Sequence, residues 1–211
     1  MKNIIVLLFL SVLIGCNDEP DPISPNPVVP SNVEGTPLWE IRDEKNVVWS
    51  NYLREIIPER GPDLLRVVPS DHSDFMKGDF SKLSTEERIE FWVLLFSAMA
   101  QRESNFNTSL TYQENFRDRH GEYIISRGLL QLSIESSLGY GCPLNSANDL
   151  HDPFKNLECS VMIMNRWVQR DERIAGRVGG EWRGGARYWS VLRSINSSPY
   201  SFIVSSMKEV Y

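Results

Sequence analysis

Residues 84–104 constrain this chain more than any other stretch. Ser84-Thr85-Glu86-Glu87 fits a capping box, in which a hydroxyl and a carboxylate satisfy the orphan amides at a helix start. An apolar run follows at once, through Ile89, Trp92, Leu95, Phe96 and Met99 to about Ser104. It is apolar on nearly every side, so the pattern predicts a buried central helix with the rest of the domain wrapped around it. No series of short alternating strands at regular spacing competes with that reading, and no internal repeat is present. The expected class is mainly α.

The other elements follow from periodicity and breakers. Val47 to Ile57 reads as a helix stopped by Pro58, and residues 58–80 as loop with short helical turns. Residues 105–123 are polar. Tyr123-Ile124-Ile125 suits a short strand, and a small β-hairpin is expected within residues 108–127. Residues 128–137 read as a short helix broken by Gly139, Gly141 and Pro143. Phe154 to Arg170 is an amphipathic helix with Leu157, Val161, Met164, Trp167 and Val168 inward. Residues 186–195 and 200–210 read as the last two helices.

The N-terminus reads as an address. Lys2 precedes an apolar run from Ile4 to Ile14, which ends in Leu13-Ile14-Gly15-Cys16. That run is about half of the roughly 20 residues a spanning helix needs, so it reads as an export signal. The terminal cysteine resembles a bacterial lipobox, which implies cleavage after residue 15 and a lipid anchor on Cys16. Residues 16–37 carry six of the twelve prolines, and all the charged residues among them are acidic. Such a stretch is a semi-rigid tether, reaching at most ~65 Å at about 3.1 Å per residue. Residues 38–211 are then the folded domain, held by its anchor at the membrane of the cell envelope. Of the remaining cysteines, Cys142 and Cys159 form an even pair in an exported chain, so a disulfide is expected.

Charge narrows the function. The net charge is −6; Lys2 and the four acids of residues 17–37 account for half of it, leaving −3 on residues 38–211. That balance argues against an electrostatic nucleic-acid binder. Three cysteines and three histidines are too few and too scattered for a zinc cluster.

One carboxylate stands in an apolar neighbourhood. Trp92, Phe96, Met99 and Glu103 share one helix face by their spacing. Burial among such neighbours penalises the charged carboxylate and raises its pKa, which suits a general acid for a glycosidic oxygen. The surrounding residues then resemble a known family. Glu103-Ser104-Asn105-Phe106 is followed by Gly128-Leu129-Leu130-Gln131 and by Asp152-Pro153-Phe154-Lys155-Asn156-Leu157. These are similar to the E-S-x-F, G-L-M-Q and D-P-x-x-N-[IL] elements of lysozyme-like, soluble-lytic-transglycosylase domains. The fourth element, A-Y-N-A-G, has only Ala186-Arg187-Tyr188-Trp189-Ser190 near its place. The resemblance covers about residues 86–195.

The resemblance implies a lysozyme-like helical fold and cleavage of the β-1,4 bond between N-acetylmuramic acid and N-acetylglucosamine in peptidoglycan. It implies Glu103 as catalytic acid and base, Ser104 near the catalytic centre, Gln131 lining the glycan groove, and Tyr188 in place of the tyrosine that bonds the glutamate. No metal or organic cofactor is implied, and a monomer is expected. With one glutamate the reaction is a lytic transglycosylase's, ending in a 1,6-anhydro ring. A second facing carboxylate would make it a hydrolytic muramidase. Asp118, in a stretch also similar to goose-type lysozymes, is the candidate; Glu114 and Glu122 lie in the same loop and read as solvated charge. The slight acidity of the domain points to deacetylated, cationic glycan by Coulomb attraction. Tyr112, Phe116, Tyr123 and Tyr140 are candidates for stacking on sugar rings, with Tyr123 the one placed in the site. The competing reading is a wall-binding lipoprotein that grips glycan without cutting it.

Overall fold

A computed structural model describes residues 35–193 and 198–211. The export signal, Cys16 and nearly all of the tether lie outside the described residues. No helix among the described residues is long and apolar enough to cross a membrane.

Four helices precede the central one: α1 (Leu38–Arg42), α2 (Val47–Arg60), α3 (Pro62–Arg66) and α4 (His72–Phe75). The expected stop at Pro58 is not obeyed, and α2 runs on to Arg60 before Gly61 ends it. Pro58 lacks the amide that would bond Arg54 O, so α2 gives up that one backbone hydrogen bond and still continues for two more residues. Trp39 anchors the first turn: it is fully buried, and its indole Nε1 donates to Ser50 Oγ at 2.8 Å.

The central helix α5 spans Thr85–Glu103, and both halves of the capping box form at Ser84 and Glu87. Every residue from Phe91 to Ala100 is buried. Helices α1, α2 and α3 and the C-terminal helix α8 (Ser198–Val210) pack around it. Trp92 shows the packing at one residue: its ring is fully buried, and its Nε1 donates to Leu64 O at 2.8 Å. Residues 38–85, which lack any recognisable motif, are therefore the wall that buries α5.

Beyond α5 the chain forms a three-stranded antiparallel sheet in the order β1 (Thr111–Arg117), β2 (Tyr123–Arg127), β3 (Leu132–Ser133). The β1–β2 hairpin is the one expected from residues 108–127. The helix expected over 128–137 is shorter: residues 128–131 form a tight turn, 132–133 pair with β2, and only Ile134–Gly139 is helical, as α6. The turn needs left-handed backbone, with φ +74° at Gly128 and +48° at Gln131, which interrupts any helix. Helix α7 (Pro153–Asp171) starts from Asp152, whose side chain caps the amides of Phe154 and Lys155. Its inner face meets α2 and α3. The Cys142–Cys159 disulfide forms, tying the segment after α6 to α7. A loop of its 17-residue separation is worth about 3 kcal/mol by chain entropy.

A short hairpin, β4 (Arg177–Val178) and β5 (Glu181–Trp182), follows. The helix expected over 186–195 is replaced, within the described residues, by two 3-10 turns at Gly184–Arg187 and Ser190–Leu192. Gly184 explains the change. It sits at φ +57°, so close to α7's exit that a Cβ would lie 2.3 Å from Arg173 O. Arg193 then takes the carbonyls that helix amides would have used, donating to Ala186 O at 2.8 Å and Arg187 O at 3.2 Å.

Candidate active site

The end of α5, the inner face of the sheet and the 3-10 turns after β5 enclose a cavity of about 390 Å³. Glu103, Glu114, Phe116, Ile124, Ser126 and Gln131 line it, together with Ser133, Tyr140, Arg187, Tyr188 and Arg193.

Glu103 is the last residue of α5, so the buried helix aims it into this space. Trp92, Phe96 and Met99, the neighbours expected on its face, are all fully buried. The side chain keeps partial solvent access, yet protein crowds it closely enough to push its pKa from 4.5 up to about 8. Burial is the main cause, the charge of Glu114 adds to it, and Arg193 opposes both. Among the described residues the Glu103 carboxyl makes no hydrogen bond and no ion pair. A half-open carboxylic acid that holds its proton at neutral pH is what general acid catalysis requires.

Ser104 locks the helix end in place. It is buried, and its Oγ donates to Leu129 O at 2.8 Å. It does not line the cavity; it joins the turn at 128–131 to the residue beside Glu103. Asn156, from the third motif, holds the same turn from below. Fully buried, it accepts from Leu130 N at 2.9 Å and donates to Leu150 O at 2.9 Å and Arg127 O at 3.1 Å. Gln131 does line the cavity, with its amide Nε2 donating to Gly128 O at 2.8 Å.

Tyr188 reaches the cavity but not Glu103. Its hydroxyl accepts from Ser133 N at 3.3 Å, and burial pushes its pKa up to about 12. The hydrogen bond to the glutamate implied by the resemblance is absent, because the chain meets this place as 3-10 turns rather than a helix. Asp118 lies outside the cavity. It closes the β1–β2 turn, accepting from His120 N at 2.8 Å and Glu122 N at 2.9 Å, and these amides lower its pKa. Tyr123 also lies outside it, with its ring under the Arg117 guanidinium at 3.6 Å.

The carboxylate that the structure does bring to Glu103 is Glu114. It sits mid-strand on β1, half-buried, and its Oε1 accepts from Ser126 Oγ at 2.6 Å across the strand pair. Strand alternation is the signal that would have found it. Tyr112 opposes Ser126 in register; the pairing turns irregular beyond Gln113, and the Ser126–Glu114 hydrogen bond places residue 114 with residue 126, both lining the cavity.

No family model and no curated protein matches this chain. Solved structures do. The Bdellovibrio protein Bd0314 DslA, as wild type, superposes with a TM-score of 0.78 at 48% identity, covering 81% of this chain and 93% of its own. This chain belongs to the DslA family. Two variant structures of DslA, each with one glutamate changed to glutamine, match equally well, with TM-scores of 0.78 and 0.77. The two altered glutamates of DslA stand eleven positions apart in its chain.

Proposed function

We propose that this protein is a cell-wall muramidase that hydrolyses the β-1,4 bond between N-acetylmuramic acid and N-acetylglucosamine. Glu103 is the general acid and Glu114 the second carboxylate. The observation that carries the reading is the pairing itself. A carboxylic acid with a pKa of about 8 and a second carboxylate share one cavity, with no other acid lining it among the described residues. Glu103 and Glu114 are eleven positions apart, the spacing of the two glutamates replaced in DslA.

The chemistry follows from the two environments. Glu103 gives its proton to the departing glycosidic oxygen, and positive charge develops at the anomeric carbon. Glu114, one oxygen held by Ser126, faces that charge with its other oxygen and takes the proton of the attacking water. A transglycosylase needs only the first residue. The second carboxylate in the cavity therefore favours water over the sugar's own hydroxyl. Asp118, with its carboxylate engaged by its own turn, is not needed.

The proposal includes a preference for deacetylated glycan. Glu114 offers a carboxylate for a free amino group on the sugar, in a cavity also lined by Arg187, which Asp171 already pairs, and Arg193. Localisation in the envelope through a lipid on Cys16 is part of the same proposal; the disulfide agrees with an oxidising compartment.

Purified sacculi, acetylated and deacetylated, incubated with the protein and analysed by mass spectrometry test the reading. Reducing ends are expected, with faster release from the deacetylated wall. Ends lighter by one water, the 1,6-anhydro form, would restore the single-glutamate mechanism. Binding with no fragments from either wall would make the protein a glycan-gripping lipoprotein.

A further inference from the structure

A second cavity, of about 330 Å³, opens at the far end of α7 and is lined by Arg170, Asp171, Arg173, Val178 and Arg183. Its charges do not balance internally. Asp171 is buried and already satisfied: its Oδ2 accepts from Arg187 Nε at 2.6 Å and Gly184 N at 2.8 Å, and its Oδ1 from an Arg187 amine at 3.2 Å. Arg187 supplies every side-chain hydrogen bond to that carboxylate among the described residues.

The other guanidiniums pair more loosely. Arg170 approaches Asp171 only to 4.0 Å and Arg183 only to 3.7 Å, beyond hydrogen-bonding distance. Arg170 makes no hydrogen bond among the described residues; its plane is held over the Trp167 ring at 5.4 Å. Arg183 is left with the exposed carboxylate of Glu181 at 3.0 Å. Arg173, on the rim, donates to Ala175 O and Ser70 Oγ and lies 3.8 Å from Asp71. Arg170, and Arg183 with Glu181 at 3.0 Å and Asp171 at 3.7 Å as its partners, thus line one opening with more N–H donors than these carboxylates take up. Guanidinium forks so placed match a carboxylate.

This opening also adjoins the catalytic cavity. The Arg187 guanidinium lies 5.1 Å from the same Trp167 ring and lines the catalytic side. Trp167 Nε1 donates to the hydroxyl of Tyr140, another lining residue of the catalytic cavity, at 2.8 Å. One wall, made of Trp167, Arg187 and Asp171, separates the two openings.

We infer that the Arg170–Arg183 cavity binds a free carboxylate of the peptide stems carried by peptidoglycan glycan, so that peptide-bearing strands are taken in preference to bare ones. The inference rests on the glycan-cleaving reading for its ligand, and its test is built to fail separately. The first measurement titrates free stem peptide, and in parallel inorganic phosphate, into the full chain while following the arginine Nε–H resonances. Stem peptide should shift Arg170 and Arg183 and leave Arg88, whose guanidinium is held by the carbonyls of Leu83, Leu65 and Ser81, unmoved. A shift by phosphate alone, or by neither, overturns the inference.

The second measurement uses the Glu103→Gln protein, so that cleavage plays no part. It compares affinity for glycan oligomers with stems and for the same oligomers stripped by an amidase. Stems should tighten binding about tenfold at low salt and less at high salt. Arg170→Gln/Arg183→Gln should remove that gain and leave bare-glycan affinity unchanged, with an unaltered melting temperature as the check on folding. Equal affinity for both oligomers, or equal loss on both in the double variant, overturns the inference. If wild type leaves sacculi uncut while stem peptide still shifts Arg170 and Arg183, the functional reading fails and the anion site stands. Cleavage without those shifts is the reverse.

Discussion

Glu103 and Glu114 are the same side chain eleven residues apart, and the fold treats them in opposite ways. Glu103 ends a helix that is buried from Phe91 to Ala100, and protein crowds its carboxyl, so its charge is costly and its proton is retained. Glu114 lies on a strand most of whose residues are exposed, with a hydroxyl donor against it. One residue type thus acquires two roles from one step of chain, from helix end to strand, and the difference in surroundings does the chemical sorting.

The largest expected effect removes one member of the pair. Glu103→Gln should lower kcat on sacculi by about 10³-fold or more, and Glu114→Gln by about 10²-fold, with the fold retained. The two should also differ in pH profile. Wild-type activity should fall as pH rises through about 8, where Glu103 loses its proton. Residual activity of Glu114→Gln should fall at lower pH, because one contribution raising the Glu103 pKa is gone. Burial, the larger contribution, remains, so the limb should stay well above 4.5. An unmoved limb would separate the two carboxylates and end the comparison.

Next comes the joint between the two regions. The turn at 128–131 is where α5, β2 and α7 meet, through Ser104 and Asn156. A Cβ at Gly128 would lie 1.9 Å from Leu150 O, at a φ of +74°. Gly128→Ala should destabilise the domain by about 4 kcal/mol or more, measured by chemical denaturation. A tolerated alanine would mean that the helix end and the sheet are not held to each other here.

How much of this was legible beforehand depends on which signal each residue carries. Helix α5 was readable because a capping box and an unbroken apolar run are local signals, and Glu103 inherits its place from them. The hairpin was readable from one short β-rich segment. Glu114 was not, because on an exposed strand a carboxylate that faces a cavity and one that faces water have the same sequence neighbours. Only the pairing register, with Tyr112 opposite Ser126, decides between them. The region after β5 misled for a related reason. Ala186, Tyr188, Trp189 and Leu192 read as helical, but the close approach of Gly184 to α7 is a tertiary constraint that no local periodicity records.

A stability measurement sharpens the comparison from the other side. In the unfolded chain Glu103 titrates near 4.5, in the folded one near 8. Between those values the unfolded state releases a proton that the folded state keeps, so stability is lost as pH rises across that window. Glu103→Gln removes this loss. It should be neutral below pH 4.5 and increasingly stabilising up to about pH 8. One pKa unit is worth about 1.4 kcal/mol. With a discount for the partial exposure of the group, the gain should be on the order of 2 kcal/mol, a rise in Tm of about 5 °C. Glu114→Gln should show no such gain. Equal gains would mean that the two sites are not opposites.

The smallest effects belong to the rim of the sheet. Phe116 is 56% exposed and lines the cavity, whereas Asp118, two residues on, closes the turn and does not. If the strand face rather than the hairpin as a whole meets the glycan, Phe116→Ala should raise KM by about threefold to tenfold with kcat little changed, since a stacked ring binds substrate and transition state alike. Asp118→Asn should change either constant by less than about twofold. The contrast is stricter than either variant alone. A second carboxylate at Asp118 would reverse the order, because loss of a charge facing the anomeric centre falls on kcat, while loss of an apolar platform falls on KM. A kcat deficit in Asp118→Asn comparable to that of Glu114→Gln would therefore move the second carboxylate from the strand to the turn.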